Sequence, residues 1–174
     1  MADEQPTLEA LLARQQHDER EIVNVDEETT KLVIFVIGKD WFAFHGEQIK
    51  EIISHSEVYE LPGAPAALEG VINLRGDIES VFSLRQVLSY PPALPDSPSR
   101  ILLAQGDNMR SGIRVDRVEE VIDVVVSAIH EPPHTIPERL RPLVLGNLEF
   151  TGEVVSILDL NRLLADYCAG GVGG

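Results

Sequence analysis

Residues 76–84 read Gly-Asp-Ile-Glu-Ser-Val-Phe-Ser-Leu, and residues 152–160 read Gly-Glu-Val-Val-Ser-Ile-Leu-Asp-Leu, the same pattern at an offset of 76. A turn glycine, an acid, an apolar run and a capping residue before leucine recur in that order. Upstream, at an offset of 69, Ile49-Lys50-Glu51-Ile52-Ile53 falls on Val118-Glu119-Glu120-Val121-Ile122, and Leu32-Val33-Ile34 falls on Ile101-Leu102-Leu103. Order is kept throughout, which is the mark of an internal repeat. The seven-residue difference between the offsets predicts a longer middle loop in the second copy, around Pro132 to Pro142.

Each copy reads as one strand-rich lobe that ends in a short helix. LVIFVI (32–37) and WFAF (41–44), around Gly38, Lys39 and Asp40, form a hairpin pattern, and a second pair runs from Val71 to Leu74 and Ile78 to Phe82 around Gly76 and Asp77. ILLA (101–104), GIRVDRV (112–118), VIDVVV (121–126), LVLGNLEF (143–150) and VVSIL (154–158) supply the strands of the second half. Ser83 and Asp159 occupy matching N-cap positions, before Leu84, Val87, Leu88 and before Leu160, Leu163, Leu164. Between the copies, YPPALPDSPS (90–99) carries four prolines in ten residues and reads as a linker. Lobes of roughly 60 residues are marginal alone, so the two are expected to share an apolar interface whose seam makes a groove.

The 174 residues carry 14 basic and 29 acidic side chains, a net charge of -15. Nucleic acid and anionic lipid are poor partners for such a chain. Hydrophobic residues make up 44% but aromatics only 5%, so the core is aliphatic and β-branched, which favours strands. The single Cys168 excludes an intramolecular disulfide and a multi-cysteine zinc site, and with it a reducing, cytoplasmic setting is expected. MADEQPTLEA at the N-terminus lacks the features of a secretory signal, and no apolar run approaches the eighteen residues of a membrane span. Residues 1–30 hold nine acids and two bases, a net of -7, and are set apart as an acidic arm. Thr7 caps a candidate helix with Leu8, Leu11 and Leu12 on one face, read either as a solubilising arm or as a partner-docking helix. Residues 169–174 are a Gly-rich tail.

Candidate chemistry is sparse. His130 and His134 are separated by Pro132 and Pro133 and cannot share a helical face, so no metal site is assigned. Phosphate loops, nucleophile elbows and Cys/His pairings are missing from the sequence, and Arg75-Gly76-Asp77 is a three-letter coincidence with an adhesion motif. What remains are polar residues in strand context. Asn73 is placed to bond the turn backbone at Gly76. Arg75 offers a five-donor guanidinium for a carboxylate or for helix-end carbonyls on a partner. Glu51 and Glu120, matched by the repeat, flank the apolar Ile49, Ile52, Val118 and Val121, an apolar strip with charges at its rim.

The blocks GVINLRGDI (70–78), SVFSLR (80–85), GIRVDRVEEVI (112–122) and ILDLNRLL (157–164) resemble the chemotaxis adaptor family, the CheW-like proteins, over roughly residues 31–166. The resemblance implies a mainly β domain over 31–168, with two SH3-like five-stranded β-barrel lobes, approximately 31–90 and 100–166 with exchange of segments allowed, and short helices; the acidic, N-terminal helical arm of residues 1–30 is longer than the minimal family domain requires. It implies a non-catalytic scaffold without cofactors that couples the cytoplasmic tips of chemoreceptors, the methyl-accepting proteins, to the regulatory domain of a CheA-type histidine kinase. Carried over by motif, Ile49, Gly70, Arg75 and Val121 are receptor-binding, and Glu51 belongs to a kinase or receptor interface. Gly70 is expected to let a partner helix approach the backbone. Asn73, Gly76, Ser83 and Asp159 are assigned to turns and caps. A competitor that binds only one partner, and a small enzyme using the interlobe groove, are the alternative readings. Ser80 and Ser83 stand where the family carries Pro and Asp. Ser83 keeps the capping chemistry, whereas Ser80 frees a backbone donor.

Overall fold

The computed structural model describes residues 27–169, with side chains to Asp166, and contains ten strands. They are β1 (Thr29–Ile37), β2 (Asp40–His45), β3 (Ile49–Ile53), β4 (Leu68–Leu74), β5 (Asp77–Ser83), β6 (Arg100–Gln105), β7 (Arg110–Val115), β8 (Arg117–Val125), β9 (Val144–Phe150) and β10 (Glu153–Leu158). Helix α1 (Leu84–Val87) follows β5, and α2 (Leu160–Leu163) follows β10 and continues as a π-helix over Leu164–Ala169. The candidate helix after Thr7 and the Gly-rich tail beyond Ala169 lie outside the described residues.

The apolar runs of β1 and β6 are continuous because both faces of these strands are covered. In β1, Val33, Phe35 and Ile37 face a core shared by the two lobes, while Leu32 and Ile34 face the interior of their own lobe. In β6, Leu102 and Ala104 face the shared core, and Ile101 and Leu103 face inward. Phe35 and Phe44 pack in a tilted arrangement with ring centroids 5.0 Å apart in the shared core. Leu84, Val87, Leu88, Leu160, Leu163 and Leu164 all join it, so both short helices serve the interface between lobes. Their caps form as expected: Ser83 Oγ accepts from Gln86 N and Asp159 Oδ1 from Arg162 N.

The lobes do not follow the sequence halves. One five-stranded sheet runs β8-β1-β2-β10-β9 and the other β3-β6-β7-β5-β4. Each sheet takes two strands from the start of one copy and three from the end of the other. A contiguous division at 31–90 and 100–166 is therefore replaced by a reciprocal exchange of segments. The exchange obeys the repeat residue by residue. Parallel pairing of Val81 with Gly112 corresponds to Ile157 with Ala43, and antiparallel Ile52–Leu102 corresponds to Val121–Val33. Bulges recur as well, after Ile49 and Val118 and before Gly70 and Gly146. The extra seven residues fall between β8 and β9, where Ile136 and Leu140 pack on the shared core.

Two local readings are corrected. GIRVDRV is not one strand, because the chain leaves one sheet at Val115 and enters the other at Arg117, with Asp116 at the crossing. The β4–β5 turn centres on Arg75 and Gly76 rather than on Gly76 and Asp77: Leu74 pairs with Asp77, and φ is 52° and 92° at the two turn residues. Positive φ at both central positions is the type I′ pattern, which matches the twist of a hairpin. Thr151 and Gly152, at 49° and 82°, repeat it in the other lobe.

Candidate partner-docking site

The β4–β5 tip projects Arg75 into solvent. Asn73 Oδ1 accepts from Gly76 N at 2.9 Å and ties the strand end to the turn, as expected for that residue. Arg75 then reaches across to β3 and forms a two-pronged pair with Glu51, Nη1 to Oε2 at 3.1 Å and Nη2 to Oε1 at 2.5 Å. The Arg75 hydrogen bond holds the Glu51 carboxyl below the ordinary carboxylate range despite some desolvation, and Glu51 in turn raises the guanidinium. With the Arg75 side chain 68% exposed, the pair is screened by water and orients the two groups more than it stabilises the fold. The corresponding tip of the other lobe carries Thr151, so a cation marks only one of the two tips.

The structure brings Arg75 and Glu51 together and places the other expected site residues differently. Val121 is exposed on β8, the edge strand of the other sheet. Ile49 is half-buried, packed on the shared core. Ile52, the repeat counterpart of Val121, is exposed on β3 next to Glu51. Its place in the repeat marked it, since the 69-residue offset pairs it with Val121. Gly70 is buried, and a methyl group there would collide with the Tyr59 carbonyl. Tyr59 and Val71 exchange backbone hydrogen bonds at 2.8 and 2.9 Å. The close approach that requires a glycine is thus made by the chain itself, at a φ of 154° that suits no other residue. Ser80 turns its hydroxyl to Ser111 Oγ at 2.9 Å, between β5 and β7.

A second polar cluster was not assigned from the sequence. Asp116, at the crossing between sheets, accepts from Arg85 Nε at 2.8 Å, from Arg85 Nη2 at 2.6 Å and from Gly38 N at 2.7 Å. Arg85 also donates to the Pro91 carbonyl at 2.6 Å, while Arg114 binds Glu69 and Ser99 Oγ. The proline-rich linker is thereby held near both ends. Burial pushes Asp116 upward, but Arg85 and the Gly38 amide pull it further down, to below the ordinary range. Tyr90, hydrogen-bonded to Asp40, is raised by burial and by that carboxylate. Glu69, Arg85, Tyr90, Arg114 and Asp116 line the seam beside a cavity of about 390 Å³. The repeat offers a local parallel: Asp107 N, the counterpart of Gly38 N, donates to Asn161 Oδ1 at 2.7 Å. The V-D-x-V sequence around Asp116 was visible, but its partners lie 31 and 78 residues away.

Among the described residues, no cluster of His, Cys, Asp and Glu has metal-site geometry, and no helix is long and apolar enough to cross a membrane.

Comparison with known proteins agrees with this architecture. The chain is 26% identical over 153 residues to the chemotaxis protein CheW of Treponema pallidum, covering 86% of this chain and 90% of that protein. It is also 26% identical over 134 residues to the chemotaxis protein CheW of Bacillus subtilis, covering 77% and 86%. The crystal structure of the scaffolding protein TtCheW from Thermoanaerobacter tengcongensis superimposes with a TM-score of 0.69 at 26% identity, over 79% of this chain and 93% of that one. The family model for the CheW-like domain matches residues 31–168, the exchanged lobes together with both short helices, and the chain belongs to the CheW-like family.

Proposed function

We propose that the protein is a non-catalytic cytoplasmic adaptor that couples the cytoplasmic tips of chemoreceptors to the regulatory domain of a CheA-type histidine kinase. The observation that carries the reading to a particular surface is the Arg75–Glu51 pair. A guanidinium held in a fixed orientation at an exposed hairpin tip, with Ile52 beside it on β3, combines apolar contact with directed hydrogen bonding. In this reading Arg75, Ile49 and Val121 contact the receptor tip, Gly70 shapes the β4 backbone that carries it, and Glu51 exchanges between holding Arg75 and meeting a partner. The polar cluster at Asp116 keeps the two lobes in one mutual orientation, as a scaffold requires.

Substituting Arg75→Glu tests this assignment. The side chain is solvent-exposed, so the fold is expected to stay intact by circular dichroism, while like charges at positions 51 and 75 remove the oriented cation. Co-sedimentation with receptor and kinase is expected to fall. Ternary assembly at the level of the unsubstituted protein would overturn the site.

A further inference from the structure

The sheet β8-β1-β2-β10-β9 is open between its first and last strands, and the segment that follows β8 touches β9 through the reciprocal backbone hydrogen bonds of His130 and Asn147. An apolar cavity of about 690 Å³ lies along this opening. Ile122 and Val124 of β8 form one wall and Leu148 and Phe150 of β9 the other, with Ala128 and the exposed Val154 at the rim. The chain enters the sheet at the same place. Thr29 pairs with Val125, and Glu28 O accepts from Val126 N at 2.9 Å, two residues from Ala128.

We propose that this groove is the docking site of the protein's own N-terminal segment, with Leu8, Leu11 and Leu12 as the inserted residues. Three observations commit the groove to this occupant. The leucines recur at i, i+3 and i+4 and so form one apolar face in a stretch otherwise rich in charge. Fifteen residues lie between Leu12 and Glu28, and the random-coil span of a segment of that length is roughly 20–25 Å, enough to cross the end of a small barrel. A tether that starts at the rim holds its cargo at roughly millimolar effective concentration, so even a small contact is populated. The first thirty residues carry a net of -7 and the groove carries Glu149, so electrostatics opposes this docking and its driving force is the apolar contact alone.

The test uses the full chain, isotopically labelled, with a spin label on a cysteine introduced by Ala10→Cys in a Cys168→Ser background. On a helical wheel position 10 falls opposite Leu8, Leu11 and Leu12, which is why the label is put there. Amides of Ile122, Val124 and Phe150 are expected to lose at least about half their intensity through paramagnetic broadening, as a tethered contact requires. Adding Leu8→Ser, Leu11→Ser and Leu12→Ser is expected to restore them. Raising salt from about 0.05 to 0.5 M should preserve or deepen the broadening, because screening relieves like-charge repulsion. Four results would overturn the proposal: no broadening at these amides, broadening that survives the serine substitutions, loss of broadening with salt, or broadening that persists undiminished when the spin label and the isotopes are carried by separate, mixed copies. The last would assign the groove to a second copy.

Discussion

Replacing Asp116 with asparagine is expected to destabilise the fold by an amount that disappears in acid. Asp116 accepts three hydrogen bonds, two from Arg85 and one from the Gly38 amide, and its side chain and that of Arg85 are only 23% and 21% exposed. Breaking a fully buried ion pair costs about 3–5 kcal/mol, and an exposed pair contributes less than about 1. For a pair four-fifths buried, with asparagine retaining one acceptor, the loss is about 2–3 kcal/mol. In urea the midpoint should fall by roughly 1 M with an unchanged slope, and in a thermal scan by roughly 6–12 °C. The pH dependence follows from the direction of the shift. The folded-state value of Asp116 lies below the unfolded one of about 3.9, so its contribution is complete above that value and is lost as pH falls through the folded value. The stability gap between the two proteins should therefore be constant from about pH 5 to 8 and narrow as pH falls below about 4. A double-mutant cycle with Arg85→Met should give a coupling of about 1–3 kcal/mol. A neutral-pH loss below about 0.5 kcal/mol, or a gap unchanged in acid, would refute the account of this cluster as a lock between lobes.

Gly70→Ala should cost at least about 2 kcal/mol by chemical denaturation, because a methyl group meets the Tyr59 backbone at a φ that disfavours any side chain. Gly146→Ala should cost less, since its methyl would lie 2.7 Å from the His130 carbonyl without the positive φ; equal losses would mean that backbone conformation at Gly70 plays no part. Ser83→Ala and Asp159→Ala should each lower stability by about 1 kcal/mol, and their effects should add, since the caps serve separate helices.

The duplication was legible because it is written in side chains whose roles are local: a turn glycine, a cap, an alternating run. Offsets of 69 and 76 read from those residues reproduce the strand registers of both sheets. The exchange of segments was allowed for, but which strands exchange was not legible in the residues. A strand such as Leu32–Ile37, buried on both faces, carries no polar face to say which sheet it joins, and Leu102 to Ala104 is no more specific. The crossing at Asp116 left only a faint mark, a break in alternation where Asp116 and Arg117 stand side by side between Val115 and Val118, and nothing in it says that the chain changes sheets. Arg75 stood out as a cation in an acidic chain, but its partner Glu51 lies 24 residues away, and only the adjacency of β3 and β4 in space joins them. Gly70 was expected to admit a partner helix, whereas the close approach seen there is made by the Tyr59 backbone of the same chain.

The central claim is that this scaffold couples two partners rather than merely binding one. ATP turnover by the kinase, measured with receptor and with increasing amounts of this protein, tests it most directly. Coupling predicts that turnover becomes receptor-controlled only when the protein is present, and that Arg75→Glu fails to confer that control. Turnover that is receptor-controlled without the protein and declines as it is added would identify a competitor and contradict the account.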